Sequence, residues 1–299
     1  MGILMEKTDF GSVKNCLKLS NGTVALIVTL GFGPRILFYG FIGDINLFKT
    51  FDDQLSSPGG NEWKSYGGHR LWHAPEIVPR TYYPDNDEVP YTWDGSVLTL
   101  NPPDEKTNGI GKRITVALAP SGTGVTLNHT LINRNAWTIE LSAWCLSVMA
   151  GGGRAVIPQE EYRPHPECLI PARPLVLWHF TTMNDPRFAW GERYIVLAQD
   201  DDIKSKQKIG VANTKGWAAY CLSDVAFVKR HEYLPGALYP DMGCSAEFYT
   251  EPGFLEMESL SPMTRIAPGK DFSHEERWSL HKMKIGEGEK ELDRIAALV

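Results

Sequence analysis

Apolar and polar residues alternate with a period of two along nearly the whole chain, and this restricts the fold more than any single motif does. In TGVTLNHTLIN (residues 123–133), Val125, Leu127, His129 and Leu131 share one face, and Thr126, Asn128, Thr130 and Ile132 share the other. Successive side chains of a strand leave on opposite sides, so a chain with this period is extended rather than helical. Residues 137–148, 175–181, 194–198, 209–213, 217–222, 244–250, 254–260 and 272–281 are further strand candidates. Turn pairs such as Asn21-Gly22, Asp94-Gly95, Asn108-Gly109, Ser121-Gly122 and Pro268-Gly269 separate such runs. Gly 28 and Pro 20 together exceed the roughly 36 expected from average usage of about 12%, which again favours many short strands. Only residues 287–298 carry a helical pattern, with Leu292, Ile295 and Leu298 on one side.

No composition break divides the chain, no βαβ alternation is present, and no repeat of propeller length recurs. The pattern predicts an all-β domain over 1–299, a large antiparallel sandwich with a short C-terminal helix. Residues 60–103 are poor in strand signals and rich in aromatics, Pro and His, and read as a long irregular insertion of the kind on which sites are built. Lys+Arg 30 against Asp+Glu 36, a net charge of -6, offers no basic surface for nucleic acid. The most apolar window, residues 23–43, contains Gly31, Gly33, Pro34 and Arg35 and cannot be a membrane span. Five scattered cysteines without C-x-x-C spacing indicate neither a disulfide framework nor a thiolate zinc site. The start, MGILMEKTDF, lacks the features of a secretory leader, and a cytoplasmic protein is expected.

Three clusters carry chemistry. YGGHRLWHAPE (residues 66–76) reads as a loop that presents His69, Arg70 and His73 to an oxygen-rich ligand, with Trp72 as an apolar wall. The competing reading is a loop anchored by buried aromatics and a structural Arg-Glu pair. A metal site from His69, His73 and Glu76 needs a helix, which Pro75 and Gly67-Gly68 oppose. In GFLEMESLSP (residues 253–262), Glu256, Glu258 and Leu260 share one strand face. Two enclosed carboxylates raise one another's pKa, as a general acid or base requires; from spacing alone an exposed polar face is the better reading. In LWHFTTMNDPRFAWGE (residues 177–192), Arg187 and Trp190 sit beyond an Asn-Asp-Pro turn. Their fork of donors and flat ring suit a sugar, although Trp190 also reads as ordinary core. Lys229, Arg230, His231, Asp241 and Glu247 stand near strand ends and singly read as surface groups, and DDDIKSKQK (residues 200–208) reads as a solvated hairpin tip. Gly31-Phe-Gly33 lacks the third glycine of a dinucleotide fingerprint, and no Walker A, G-x-S-x-G or H-E-x-x-H is present.

NGTVALIVTLGFGPRILFYGF, YGGHRLWHAPE, LINRNAWTIELSAWCLSVMAGGGRAVIPQ, RPLVLWHF, DPRFAWGERYIVLAQ and FLEMESLSPMTRIAPGKDFSHEERWSL occur in an order that resembles galactose mutarotase-like proteins of the aldose 1-epimerase superfamily, across nearly the whole chain. The resemblance implies a β-supersandwich and a reaction in which a glutamate takes the anomeric hydroxyl proton while a histidine protonates the ring oxygen. It implies no cofactor, no metal and no covalent intermediate. The glutamate corresponds to Glu258 or Glu256. The family's histidine corresponds to the segment SAWCLSV, where Trp144 stands instead, so His69, His73 or His179 is expected to supply the proton. Arg70, Trp72, Glu76, Arg187, Trp190, Asp241 and Glu247 are the expected substrate contacts. The expected partner is a small-molecule carbohydrate, with no nucleic acid and no membrane, bound by a monomer or homodimer. The alternatives are a non-catalytic carbohydrate sensor on the same scaffold and a carbohydrate lyase or hydrolase relative.

Overall fold

The computed structural model describes residues 2–299. Its extended segments pair into two antiparallel sheets, one of eleven strands and one of ten. In the middle of the first sheet lie His69–Ala74, Ile139–Ala150, Phe254–Leu260, Ala246–Glu251 and Gln207–Val211, hydrogen-bonded side by side in that order. In the second, Trp217–Leu222, Val225–His231, Asp271–Lys282 and Val125–Asn133 are neighbours. The inward faces meet in one apolar layer, to which Leu71, Cys145, Phe248 and Met257 come from the first sheet and Leu127, Phe227, Trp278 and Leu280 from the second. Each such side chain contributes about 1.5–3 kcal/mol on burial. The result is the expected sandwich, and its helix is Glu289–Ala296, with Leu292 and Ile295 buried against Tyr194 and Trp217. No helix among the described residues is long and apolar enough to cross a membrane.

Residues 60–103 are less irregular than their composition predicts. They contain His69–Ala74, Tyr91–Trp93 and Val97–Leu100. All six positions of His69–Ala74 are buried, so the strand has no solvent side and shows no alternation. Gly67 and Gly68 lead into it with φ of 82° and 69°, and a Cβ at either would strike the carbonyls of Lys49 and Ile36. These glycines fix the entry of the strand and hence which residues face which side.

A polar network crosses the apolar layer. Lys229 Nζ lies 2.7 Å from Glu276 Oε1 and donates to Ser147 Oγ and the carbonyls of Cys145 and Met257 at 3.0–3.2 Å. The indole of Trp278 donates to Glu276 Oε2 at 2.9 Å. His129 Nδ1 is 3.2 Å from the His274 carbonyl, which can only accept, so this nitrogen carries the proton. His129 Nε2 therefore accepts from His69 Nε2 at 2.7 Å, and His69 Nδ1 accepts from Ser147 at 2.9 Å. Burial drives both imidazoles well below the usual histidine range, and Lys229 adds to it, so both rings are neutral. Losing one partner of a buried ion pair leaves the other charge uncompensated. Lys229→Met is expected to lower stability by about 3–5 kcal/mol, and the Lys229→Met/Glu276→Leu double variant by less, as measured by urea unfolding.

Candidate functional site

The five central strands of the first sheet turn their other face away from the second sheet. Cross-strand partners share a face, and the register sets Arg70, Leu146, Glu258, Glu247 and Gly210 in one row. A second row holds Val148, Glu256, Tyr249 and Lys208, and a third holds Trp72, Trp144 and Leu260. Because Glu256 and Glu258 are two apart, they sit side by side over this face. A Cβ at Gly210 would strike Cys244 Sγ and lie 3.2 Å from the Trp178 ring, so the missing side chain makes room for both.

The charges on this face are enclosed. Arg70, Glu258, Glu247 and Lys208 are all buried. Arg70 Nη2 donates to Glu256 Oε1 at 3.3 Å, and its guanidinium stacks over Trp72 at 4.3 Å and Trp63 at 5.6 Å. Lys208 Nζ lies 2.7 Å from Glu247 Oε2 and 3.2 Å from Glu258 Oε2, between the rings of Trp144 at 5.0 Å and Trp178 at 4.6 Å. Trp144 Nε1 donates to the same Glu258 oxygen at 2.6 Å. Trp63, Trp72, Tyr82 and Trp144 form a continuous aromatic wall with ring centres 5.0–5.3 Å apart. Several buried polar atoms meet no protein partner, namely Glu258 Oε1, Glu247 Oε1, Arg70 Nε and Nη1, and Trp63 Nε1. Unsatisfied polar atoms are rare in folded interiors. They are concentrated on one aromatic-lined face, which makes it the candidate site.

Protonation follows from counting charges. One ammonium cannot neutralise two carboxylates in a space closed to water. Burial would lower Lys208, but Glu258 and Glu247 carry it above the usual lysine range. Glu258 receives both Lys208 and the Trp144 indole on Oε2. Burial, with Glu258 and Asp241 nearby, pushes Glu247 well above the usual carboxylate range despite Lys208. Burial also raises Asp241, with Glu258 adding to it against Lys208. Burial raises Glu256 too, against the pull of Arg70.

The expected site residues divide. Arg70, Trp72, Asp241, Glu247, Glu256 and Glu258 come together here. The segment 69–74 is a strand and not a loop, so His69 and His73 leave it on the side opposite Arg70 and Trp72. His69 enters the interlayer network, and His73 Nε2 meets Glu105 at 3.1 Å. Against the upward push of burial, Lys112 and His73 hold Glu105 down to about 2. Glu76 is exposed and bonds Tyr82, so His69, His73 and Glu76 do not converge. His179 is exposed, beside Trp178. Arg187 is spent on Asp185, with Nε and Nη2 both at 2.9 Å. Trp190 stacks on Phe188 and donates to the Met183 carbonyl at 3.1 Å. Lys208 was hidden in a charged run whose other members form a tip, and Trp144 carries no charge to draw notice.

Two groups of potential metal ligands lie between the sheets, His69, His129 and Glu276, and Cys145, His274 and Glu276, each with donor atoms within 4.8 Å. Both need Glu276, and Lys229 already supplies its cation. His69 and His129 likewise use their lone pairs on each other and on Ser147. A metal would have to displace an ion pair and break this chain of hydrogen bonds.

The raised carboxyl of Glu247 links stability to pH. Its folded value lies above the unfolded one, so its stabilisation is complete below the ordinary glutamate value of 4.5 and is lost as pH rises through the folded value. The wild-type chain is therefore expected to lose melting temperature relative to Glu247→Gln as pH rises above 4.5, a difference that paired thermal scans across pH would measure.

No protein-family pattern matches the sequence, and no curated protein sequence matches it. Solved structures do match. A galactose mutarotase-like protein from Lactobacillus casei superposes over 89% of this chain and 100% of its own, with a TM-score of 0.56 and 11% identity. A galactose mutarotase related enzyme from Lactobacillus acidophilus covers 90% of this chain and 100% of its own, with a TM-score of 0.55 and 9% identity. A TPR-domain containing protein from Parabacteroides distasonis matches 91% of this chain with a TM-score of 0.63 and 10% identity, and there the chain spans 48%, about half, of the other's length. At these identities the likeness is one of architecture, and the chain has the fold of the galactose mutarotase-like proteins.

Proposed function

We propose that the chain binds a neutral carbohydrate on the face formed by Arg70, Trp144, Glu247 and Glu258, and interconverts its anomers. One observation carries this reading: two glutamates paired across neighbouring strands share a single ammonium, and burial holds the Glu247 carboxyl well above the usual carboxylate range. That is a general base and a general acid at a spacing set by backbone hydrogen bonds. In the reaction, Glu258 takes the proton of the anomeric hydroxyl and Glu247 gives one to the ring oxygen. The bond from C1 to the ring oxygen breaks as the carbonyl forms at C1. Rotation about C1–C2 turns the carbonyl over, and reclosure returns both protons. Arg70 has two nitrogens without a protein partner, Nε and Nη1, to serve hydroxyls. The solved galactose mutarotase-like proteins of the same fold support this reaction class.

A neutral substrate follows from the charges. Arg70 and Lys208 are each already matched by a carboxylate, and Asp241 adds another acid, so a phosphate or uronate would meet repulsion. A second reading, binding without turnover, is favoured by one fact: among the described residues no histidine bonds to Arg70, Lys208, Glu247, Glu256 or Glu258.

NMR magnetisation exchange between anomers, over a panel of neutral hexoses and pentoses, uronates and hexose 6-phosphates, separates the readings. Faster exchange of a neutral sugar is expected, reduced by about 10²–10⁴-fold in Glu258→Gln, with no acceleration for the anionic sugars. Saturable line broadening without exchange would assign the second reading. A panel that shows neither would overturn the carbohydrate reading.

A further inference from the structure

The face that carries Glu247 and Glu258 is shut. These two side chains are 0% and 2% exposed, Arg70 is 3% and Lys208 is 6%, so a ligand reaches them only after part of the cover moves. Four segments supply that cover: 59–66 with Trp63, 75–89 with Tyr82, 175–182 with Trp178, and 232–243 with Asp241. Three of them are fastened down. Arg35, itself buried, donates to the carbonyls of Ser65 and Lys64 at 3.1 and 3.3 Å and to both carboxylate oxygens of Asp85, which ties the first segment to the second. Asn86 donates to the carbonyls of Gly60 and Glu62 at 2.9 and 2.8 Å and accepts from the Tyr66 hydroxyl at 2.6 Å. In the third segment, Leu175–Leu177 pairs with Gln207–Val211, and Thr182 N donates to the Gln207 side chain at 2.8 Å.

The fourth segment is built differently. Residues 232–243 link Val225–His231 of the second sheet to Ala246–Glu251 of the first. A main-chain bond from Met263 N to the Leu238 carbonyl, at 2.7 Å, fastens it to another part of the chain. Its other main-chain bonds close on itself or its end: Leu234 N donates to the Tyr239 hydroxyl at 2.8 Å, and Gly243 N and Cys244 N to the Pro240 carbonyl at 2.9 Å. Tyr233 and Tyr239 stack with ring centres 5.2 Å apart, so the segment is packed by its own side chains. Leu234, Leu238 and Met242 are exposed and hold it to neither sheet. At its end Asp241 and Met242 have φ of 49° and 61°, followed by Gly243 at 105°. Among the described residues this is the one place where two adjacent non-glycine residues lie in the left-handed region. Such strain persists only where the surroundings enforce it and is released when the segment moves, and a few element-terminal residues of this kind suffice for a hinge.

We propose that residues 232–243 form a gate over the Glu247 and Glu258 face, hinged at Asp241–Gly243, while the segments clasped by Arg35 stay fixed. The gate rests on the reading of that face as a ligand site, but its opening in the free chain is measurable without a ligand. Cys244 is a probe beside the hinge, because it is buried and its thiol donates to the Asp241 carbonyl at 3.0 Å. Cys145, buried in Ile139–Ala150, reports opening of the sandwich itself. Glu247 and Glu258 lie under the gate, and Glu276, equally buried, lies between the sheets. The full chain is footprinted under native conditions with N-ethylmaleimide and, separately, with a carbodiimide and glycine ethyl ester, and each position is read by peptide mass spectrometry. Cys244 is expected to react at least about tenfold faster than Cys145, and Glu247 and Glu258 at least about tenfold faster than Glu276, because a local opening costs less than a global one. Cys244 reacting no faster than Cys145 would overturn the gate. So would modification of Glu247 and Glu258 while Cys244 stays protected, since another segment would then be opening. A saturating neutral hexose is expected to slow the labelling of Cys244. Fast labelling that no sugar slows would overturn the carbohydrate reading, with the gate upheld by the rates in the free chain.

Discussion

Side chains leave a strand alternately to its two sides, and in the middle of the first sheet both sides are enclosed. That constraint sorts the chemistry of the molecule. Along His69–Ala74 it sends His69 and His73 towards the second sheet and Arg70 and Trp72 away from it. Along Phe254–Leu260 it sends Met257 and Ser259 inward and Glu256 and Glu258 outward. Each central strand therefore serves two environments, an apolar layer pierced by a neutral histidine chain and an aromatic face holding opposed charges. A slip of one residue in either strand would exchange the two sets and ruin both.

The two environments handle charge differently. Between the sheets, Lys229 and Glu276 form a matched pair whose spare bonding capacity is met by serines, main-chain carbonyls and an indole, so the network is closed. On the outer face, Lys208 is shared by Glu247 and Glu258, and Glu258 Oε1, Glu247 Oε1 and two Arg70 nitrogens have no protein partner. A closed network holds layers together, whereas an open one has bonding capacity left for a ligand. Burial depth alone does not distinguish them, because Glu247 and Glu276 are equally inaccessible.

What could be read from the sequence follows the same logic. Phe254–Leu260 was legible residue by residue because its alternation is regular, and with it the pairing of Glu256 and Glu258 on one face. His69–Ala74 was not, because six buried positions leave no polar side to mark the strand; adjacency in sequence suggested that His69, Arg70 and His73 act together, and strand geometry separates them. Lys208 ends a run of charged residues whose earlier members form an exposed tip, and only the pairing of Gln207–Val211 with Ala246–Glu251 draws it inside. Asp241 and Glu247, unremarkable singly, gain meaning from Lys208. Trp144 stood where a histidine was expected, and its indole proton holds the Glu258 carboxylate instead.

Glu247 and Glu258 occupy adjoining strands joined by main-chain hydrogen bonds, while Trp63, Tyr82 and Asp241 reach the same face from connecting segments. The separation of the two carboxylates is thus a property of the sheet, and part of what covers them is a property of the loops. Variation in those connections can alter the cover without disturbing the carboxylate pair beneath. On the proposed reading, selectivity and chemistry would be carried by different parts of the chain, free to drift apart in evolution.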